Sequence, residues 1–189
     1  LEALLDEGVE RAAAVVAEFG KLDVVVANAG FSVGGRVEKL TADDWRRQFD
    51  VNVVGAAVTA RASLPHLRET RGRLALVGSV SGTLASPGFG AYTASKYAVR
   101  AIGQTLSMEL HGSGVSCTTL QPGFVKSDIA KTDNGGVFHA DRKDKRPEKF
   151  MWETDDAARV MVRAIERRKR EFTFTGHGRL GVFLGMHAP

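Results

Sequence analysis

The chain has 189 residues, 43% of them hydrophobic and 25% charged, and carries a net charge of +4. That length and balance describe a globular domain with a sizeable core and exclude a disordered or low-complexity chain. The charge is too mild to imply nucleic acid without a clustered basic face. In chain order, the pattern predicts an amphipathic, acidic helix over 2–19 capped by Gly20, then a strand over 22–27. The run Leu22-Asp23-Val24-Val25-Val26-Ala27 is apolar after one acid, as in a central parallel strand covered on both faces. A loop through Gly34-Gly35 leads to a helix over 41–67, which starts near Thr41 with Asp43 and Asp44 in its first turn. A strand at 74–77, a loop rich in Gly, Ser and Pro at 78–90, and a helix at 92–111 ending at Gly112 follow. Next come a strand at 115–120 stopped by Pro122-Gly123 and a polar segment at 126–150. The last predicted elements are a helix at 154–169 with Thr154 as N-cap and a strand at 172–175.

Strands alternating with helices imply an α/β fold: a Rossmann-like, doubly wound parallel sheet in one domain over 1–189. Cys117, the only cysteine, forms no internal disulfide and no zinc site, and no metal is expected. It lies in the apolar run 115–120, so it reads as a buried, inert thiol, and the expected compartment is the reducing cytoplasm. The basic stretches 142–146 and 167–170 read as solvated charge on a loop and at a helix C-terminus. The chain opens on a helix pattern rather than a signal peptide, and the apolar run 180–186 is too short to span a bilayer.

Chemistry is concentrated in Tyr92-x-x-x-Lys96, which places both side chains on one face of a helix. A phenol with a pKa of about 10 exchanges protons poorly at neutral pH, and a nearby ammonium favours its ionised form. Tyr97, the only other tyrosine, has Ala101 four residues on, so Tyr92 alone forms this pair. Such a pair is common by chance. Ser79 strengthens it: it follows the strand at 74–77 and precedes Tyr92 by 13 residues, at the end of a strand where functional groups of such sheets gather. Two glycine clusters, Gly30-x-x-x-Gly34-Gly35 and Gly78-x-x-x-Gly82, imitate a phosphate loop. Each leads into further loop rather than straight into a helix N-terminus, so neither is taken as one.

With these residues placed, the chain resembles the short-chain dehydrogenase/reductases. Asn28-Ala29-Gly30 follows a strand; Asn52-Val53-Val54-Gly55 lies on a helix; Gly78-Ser79-Val80-Ser81-Gly82, Tyr92-Thr93-Ala94-Ser95-Lys96 and Pro122-Gly123 with Val125 and Ser127 follow in the family's order. The agreement runs over residues 8–128. The resemblance implies an NAD(P)-dependent oxidoreductase interconverting a secondary alcohol and a ketone. In it Tyr92 is the general acid or base and, with Lys96, also belongs to the cofactor-binding set. Lys96 depresses the pKa of Tyr92 and binds the nicotinamide ribose. Ser79 polarises the substrate carbonyl, and Asn52 holds a relay water. Asn28, Ala29 and Gly30 shape the adenosine side of the cofactor cleft; Pro122, Gly123 and Val125 hold the nicotinamide; Ser127 stands where threonine is usual.

The family's glycine-rich cofactor loop, and the residue that selects NAD or NADP, precede Asn-Ala-Gly by several tens of residues, whereas 27 residues precede Asn28. The first strands are thus absent from these residues. Either they belong to a longer protein, or the chain is a shortened relative serving as a catalytically inactive binding or scaffold module. The cofactor is NAD or NADP, with the choice open. The segment 126–150 occupies the place of the substrate loop, and its polarity suggests a mobile lid. The apolar tail suggests a bulky, apolar alcohol or ketone or a subunit contact. The helices at 41–67 and 92–111 imply a homodimer or homotetramer.

Overall fold

In the computed structural model, which describes residues 2–144 and 146–187, helix α1 (Glu2–Phe19) ends on Gly20. Gly20 takes φ +78° and donates its N–H to Val16 O at 2.8 Å; glycine meets no Cβ penalty in that left-handed region, so the predicted cap forms. Lys145, counted in the basic stretch at 142–146, lies outside the described residues.

Strands β1 (Val24–Ala27), β2 (Arg73–Val77), β3 (Ser116–Gln121) and β4 (Glu171–Thr173) form one parallel sheet in the order β1-β2-β3-β4. The connecting helices are α2 (Ala42–Phe49), α3 (Gly55–Thr70), α4 (Gly90–Glu109) and α5 (Thr154–Glu166), and α6 (Gly176–His187) follows β4. The alternation of β2 explains the two layers. Leu74 and Leu76 are buried with Ala60 and Leu67 of α3, Val99 of α4 and Cys117 of β3. Ala75 and Val77 face the other way, onto Leu120 and onto Ala164 and Ile165 of α5. Helices therefore cover both faces, which makes the sheet doubly wound, and each leucine fully removed from water stabilises it by about 1.5–3 kcal/mol. The Cys117 thiol is pushed up to about 12 by burial, consistent with an inert core group. No helix among the described residues is long and apolar enough to cross a membrane.

Local details depart from expectation. The first strand begins at Val24 rather than 22; Val25 and Ala27 pack on the core, and α5 packs on β2 and β3. The predicted 41–67 helix runs on to Thr70 but is not α-helical throughout. Thr41 caps α2 reciprocally with Asp44 (3.2 Å and 2.9 Å), but at Asp50–Val54 one π-turn intervenes, closed by Gly55 N–H to Asp50 O. Thr154 is not an N-cap: Glu153 holds that position, and the Thr154 hydroxyl donates to Lys126 O at 2.8 Å. The final strand lies at Glu171–Thr173 rather than 172–175, because Arg168, at φ +52°, ends the preceding helix early enough for Thr119 N–H to reach Arg170 O at 2.8 Å. The tail predicted only as apolar folds as α6.

Arg168 also joins three turns at the amino ends of the strands, donating to Arg71 O and Gly114 O at 2.7 Å each and to Gly72 O at 3.4 Å. Arg168→Ala is expected to cost about 1.5 kcal/mol, seen as a fall of roughly 3–6 °C in the melting midpoint. Arg168→Lys recovers little, since one ammonium cannot span these carbonyls.

Candidate active site

Parallel strands direct their carboxyl ends to one side. There β1 delivers Asn28-Ala29-Gly30, β2 delivers Ser79 and β3 delivers Pro122-Gly123. Beyond the strands, Gly78 N–H reaches Leu120 O at 2.8 Å and Val80 N–H reaches Pro122 O at 3.0 Å, so two of these three loops are bonded to each other. Ser79 is buried, and its Oγ accepts the Ser81 N–H at 3.1 Å, which opens the tight turn Val80–Gly82. A Cβ on Gly82 would stand 2.8 Å from Lys96 O, so this glycine serves close packing of the turn on α4 rather than phosphate binding.

Helix α4 carries Tyr92 in its first turn and Lys96 one turn on. The Lys96 ammonium lies over the Tyr92 ring, 5.7 Å from its centroid, and donates to Val77 O at 2.9 Å. Lys96 is buried, and loss of water lowers it from 10.5 to about 8. Burial pushes the Tyr92 phenol up, with the Ser79 hydroxyl and the Arg146 guanidinium opposing it. Desolvation outweighs these two influences, while the Lys96 ammonium faces a backbone carbonyl and the face of the ring.

Asn52 lies in the π-turn and is 2% exposed. Its Oδ1 accepts Phe31 N–H at 3.1 Å, and its Nδ2 donates to Phe31 O at 3.1 Å and to Ser95 Oγ at 3.0 Å; Ser95 Oγ in turn donates to Tyr92 O at 2.7 Å. Both amide hydrogens are thus committed to protein, so a relay through Asn52 must use its Oδ1 or its backbone carbonyl. A Cβ on Gly30 would meet Asn52 Oδ1 at 3.1 Å and Lys96 Nζ at 3.7 Å. Gly30, Asn52, Ser79, Tyr92 and Lys96 are therefore brought together.

The remaining sequence-derived positions are more open. Asn28 and Ala29 are exposed beyond β1, and Ser127 is exposed, its hydroxyl 3.5 Å from Val125 O. Val125 pairs with Trp152. Two neighbours were not singled out from sequence. A Cβ on Gly123 would come within 2.3 Å of Thr175 Oγ1 and 2.5 Å of His177 Nε2. His177 accepts Phe124 N–H at 3.1 Å, stacks on Phe124 and tilts against Phe150, and burial lowers its pKa. The Gly176-His177-Gly178 sequence was the available signal. Arg146 is the other; it grips Asp144 through Nε and Nη2 at 2.7–3.0 Å, and a string of charges gave no reason to single it out.

The polar segment is anchored at Asn134. Asn134 exchanges two 2.9 Å hydrogen bonds with the Gly34 backbone, and Arg47 Nη1 donates to Asn134 O at 2.7 Å. In Asn134→Ala, amide exchange over 131–139 should quicken on the order of 10-fold, by the net worth of about 1 kcal/mol for such bonds, while α4 keeps its protection. Unchanged exchange would show that the latch holds nothing.

The short chain dehydrogenase family model matches residues 6–165. The chain belongs to the short-chain dehydrogenase family. It is 38% identical over 170 residues to an uncharacterized oxidoreductase of Myxococcus xanthus (strain DK1622), covering 89% of this chain and 63% of that relative. A short chain dehydrogenase/reductase of Burkholderia phymatum in complex with NAD superposes with a TM-score of 0.83 at 26% identity, over 95% of this chain and 70% of that one. An alcohol dehydrogenase of Thermococcus sibiricus complexed with 5-hydroxy-NADP gives 0.74 at 28% identity, over 90% of this chain and 70% of that one. The chain thus spans less than two thirds of the length of its Myxococcus relative.

The residues present fit a nicotinamide nucleotide. Lys96 has three ammonium hydrogens and one acceptor among the described residues, which leaves donors for ribose hydroxyls beside a Gly30 backbone that lacks a Cβ.

Proposed function

We propose that the protein is an NAD(P)-dependent oxidoreductase interconverting a secondary alcohol and a ketone, with Asn52, Ser79, Tyr92 and Lys96 as its catalytic set. The observation that carries this reading is the buried Lys96 ammonium, with one acceptor among the described residues, over the ring of Tyr92, whose hydroxyl meets Ser79. A bound nicotinamide supplies or takes the hydride at the substrate carbon. The protein supplies the proton. Ser79 Oγ accepts the Ser81 N–H, which leaves its own O–H to donate to the substrate oxygen. Burial keeps Tyr92 protonated at neutral pH, so it donates to that oxygen in reduction. The adjacent Lys96 charge stabilises the phenolate left behind, and Asn52, held against Lys96 through Gly30, carries the relay that restores the proton.

The cofactor lies along Asn28, Ala29, Gly30, Pro122, Gly123, Val125 and Ser127. NAD and NADP both stay in the reading, since the Burkholderia structure holds the first and the Thermococcus structure a derivative of the second. The segment 126–150 acts as the substrate loop. A bulky, apolar substrate is supported by the Phe124, Phe150 and His177 rings beside Gly123 and by exposed Leu84 next to the Ser79 turn. Assembly as a homodimer or homotetramer through the α2–α3 and α4 helices is supported by exposed Tyr97 and Met108 on α4. The test is nicotinamide absorbance with the whole protein, NADH, NADPH and a panel of ketones. Turnover with one cofactor supports the reading; no cofactor binding by calorimetry overturns it.

A further inference from the structure

The loop that follows β1 is held from beneath by a side chain that the reaction as read above does not use. Gln48 of α2 is completely buried at 0% exposure. Both ends of its amide bind that loop: Oε1 accepts Val33 N–H at 2.7 Å, and Nε2 donates to Phe31 O at 2.9 Å. Asn52 grips Phe31 across the π-turn, so the N–H and C=O of Phe31 and the N–H of Val33 are all satisfied by two side chains. Gly30, immediately before, lies against Asn52 Oδ1 and Lys96 Nζ. The side chains of the loop it holds are apolar: Phe31 and Val33 form a buried cluster with Ala91, Leu40 and Trp45. A methionine fills a similar volume among such neighbours without an amide to desolvate, so filling space does not account for a glutamine there.

We propose that Gln48 is a positioning residue. By fixing residues 31–33 it sets Gly30 against Asn52 and Lys96, and so fixes the Lys96 ammonium relative to Tyr92. The proposal rests on the reading of Lys96 given under Proposed function.

Two variants test it. Gln48→Met keeps the volume and removes both hydrogen bonds. Gln48→Glu keeps the acceptor for Val33 N–H and, when protonated, offers an O–H to Phe31 O; burial pushes that carboxyl's pKa up, so it is protonated in mildly acidic buffer. Well below the melting temperature, Gln48→Met should lower kcat on the order of 10- to 100-fold, as expected for a misplaced catalytic group, with a smaller change in KM. Gln48→Glu should recover most of that kcat at acid pH and lose it as the carboxyl ionises, with melting still cooperative at both pH values. Wild type lacks this limb. If Gln48→Met does not fold, the Glu variant carries the test alone. A readout free of turnover is the pH dependence of Lys96 acylation followed by mass spectrometry. Its midpoint, about 8 in wild type, should move toward 10.5 when the loop loosens and Lys96 meets water. An unchanged kcat and an unchanged labelling midpoint in Gln48→Met, or a Glu variant without the pH limb, overturn the proposal. A wild type that neither binds nor turns over nicotinamide overturns the reaction instead, and the Lys96 labelling still decides the role of Gln48.

Discussion

Tyr92→Phe is expected to lower nicotinamide-dependent turnover by about 10²–10⁴-fold, the usual worth of a positioned general acid, and to leave cofactor affinity nearly unchanged. The substitution deletes one oxygen and keeps the ring that lies under Lys96. What disappears is the only phenol in the site, and neither neighbour replaces it. The Ser79 hydroxyl is a far weaker acid, and the Lys96 ammonium is turned to Val77 O at 2.9 Å. Steady-state kinetics with saturating cofactor, together with calorimetric titration of the same variant, separate the two effects. Equal turnover in variant and wild type would remove Tyr92 from the chemistry, whereas lost cofactor binding would make it a structural residue of the cleft.

Lys96→Met is expected to abolish turnover and to make the cofactor-free protein more stable at neutral pH. Burial lowers Lys96 from 10.5 to about 8, so the unfolded chain holds the proton more tightly than the folded one. Below pH 8 both states are protonated, and the folded state bears the full desolvation cost, about 3 kcal/mol at 1.36 kcal/mol per pH unit. Between pH 8 and 10.5 the folded state has released the proton and the unfolded state has not, so wild-type stability rises with pH. Above 10.5 the cost is gone. Methionine removes it at every pH and leaves Val77 O without its donor, at about 1 kcal/mol, for a net gain of about 2 kcal/mol at pH 7. Urea unfolding of both proteins at neutral pH and near the upper end of this range gives the difference directly; other titrating groups cancel in the comparison. A variant less stable than wild type at pH 7 would refute the buried, strained ammonium. The gain and the loss of activity together would mark Lys96 as a place where stability is given up for function.

Much of the site is legible from residue types and spacing because it is built on regular elements. Tyr92 and Lys96 share a face of α4 since positions one turn apart must, and Ser79 sits where β2 ends because the apolar run ends there. The Gly20 cap and the Thr41–Asp44 capping box are equally local, each decided by the chemistry of a few adjacent residues. The breakdowns are also instructive. Thr154 has the side chain of an N-cap, yet its hydroxyl is drawn to Lys126 O, 28 residues away in sequence, and no local rule weighs that competitor. The π-turn at Asp50–Val54 widens one turn inside a helix that is otherwise continuous, and Asn52 in it bonds Phe31 and Ser95.

Sequence alone determined the alternation of strands and helices, the parallel doubly wound sheet, the family resemblance, and which side chains gather at the carboxyl ends of the strands. These follow from hydrophobic period, turn chemistry and short spacings, all of which act over a few residues. Only the tertiary structure decided that 126–150 is latched to Gly34 by Asn134, and that Gln48 supports the loop beside Lys96. It also decided that burial raises Tyr92 and lowers Lys96. Hydrogen bonds between distant segments and the removal of water depend on what lies across the fold, which no window of sequence contains.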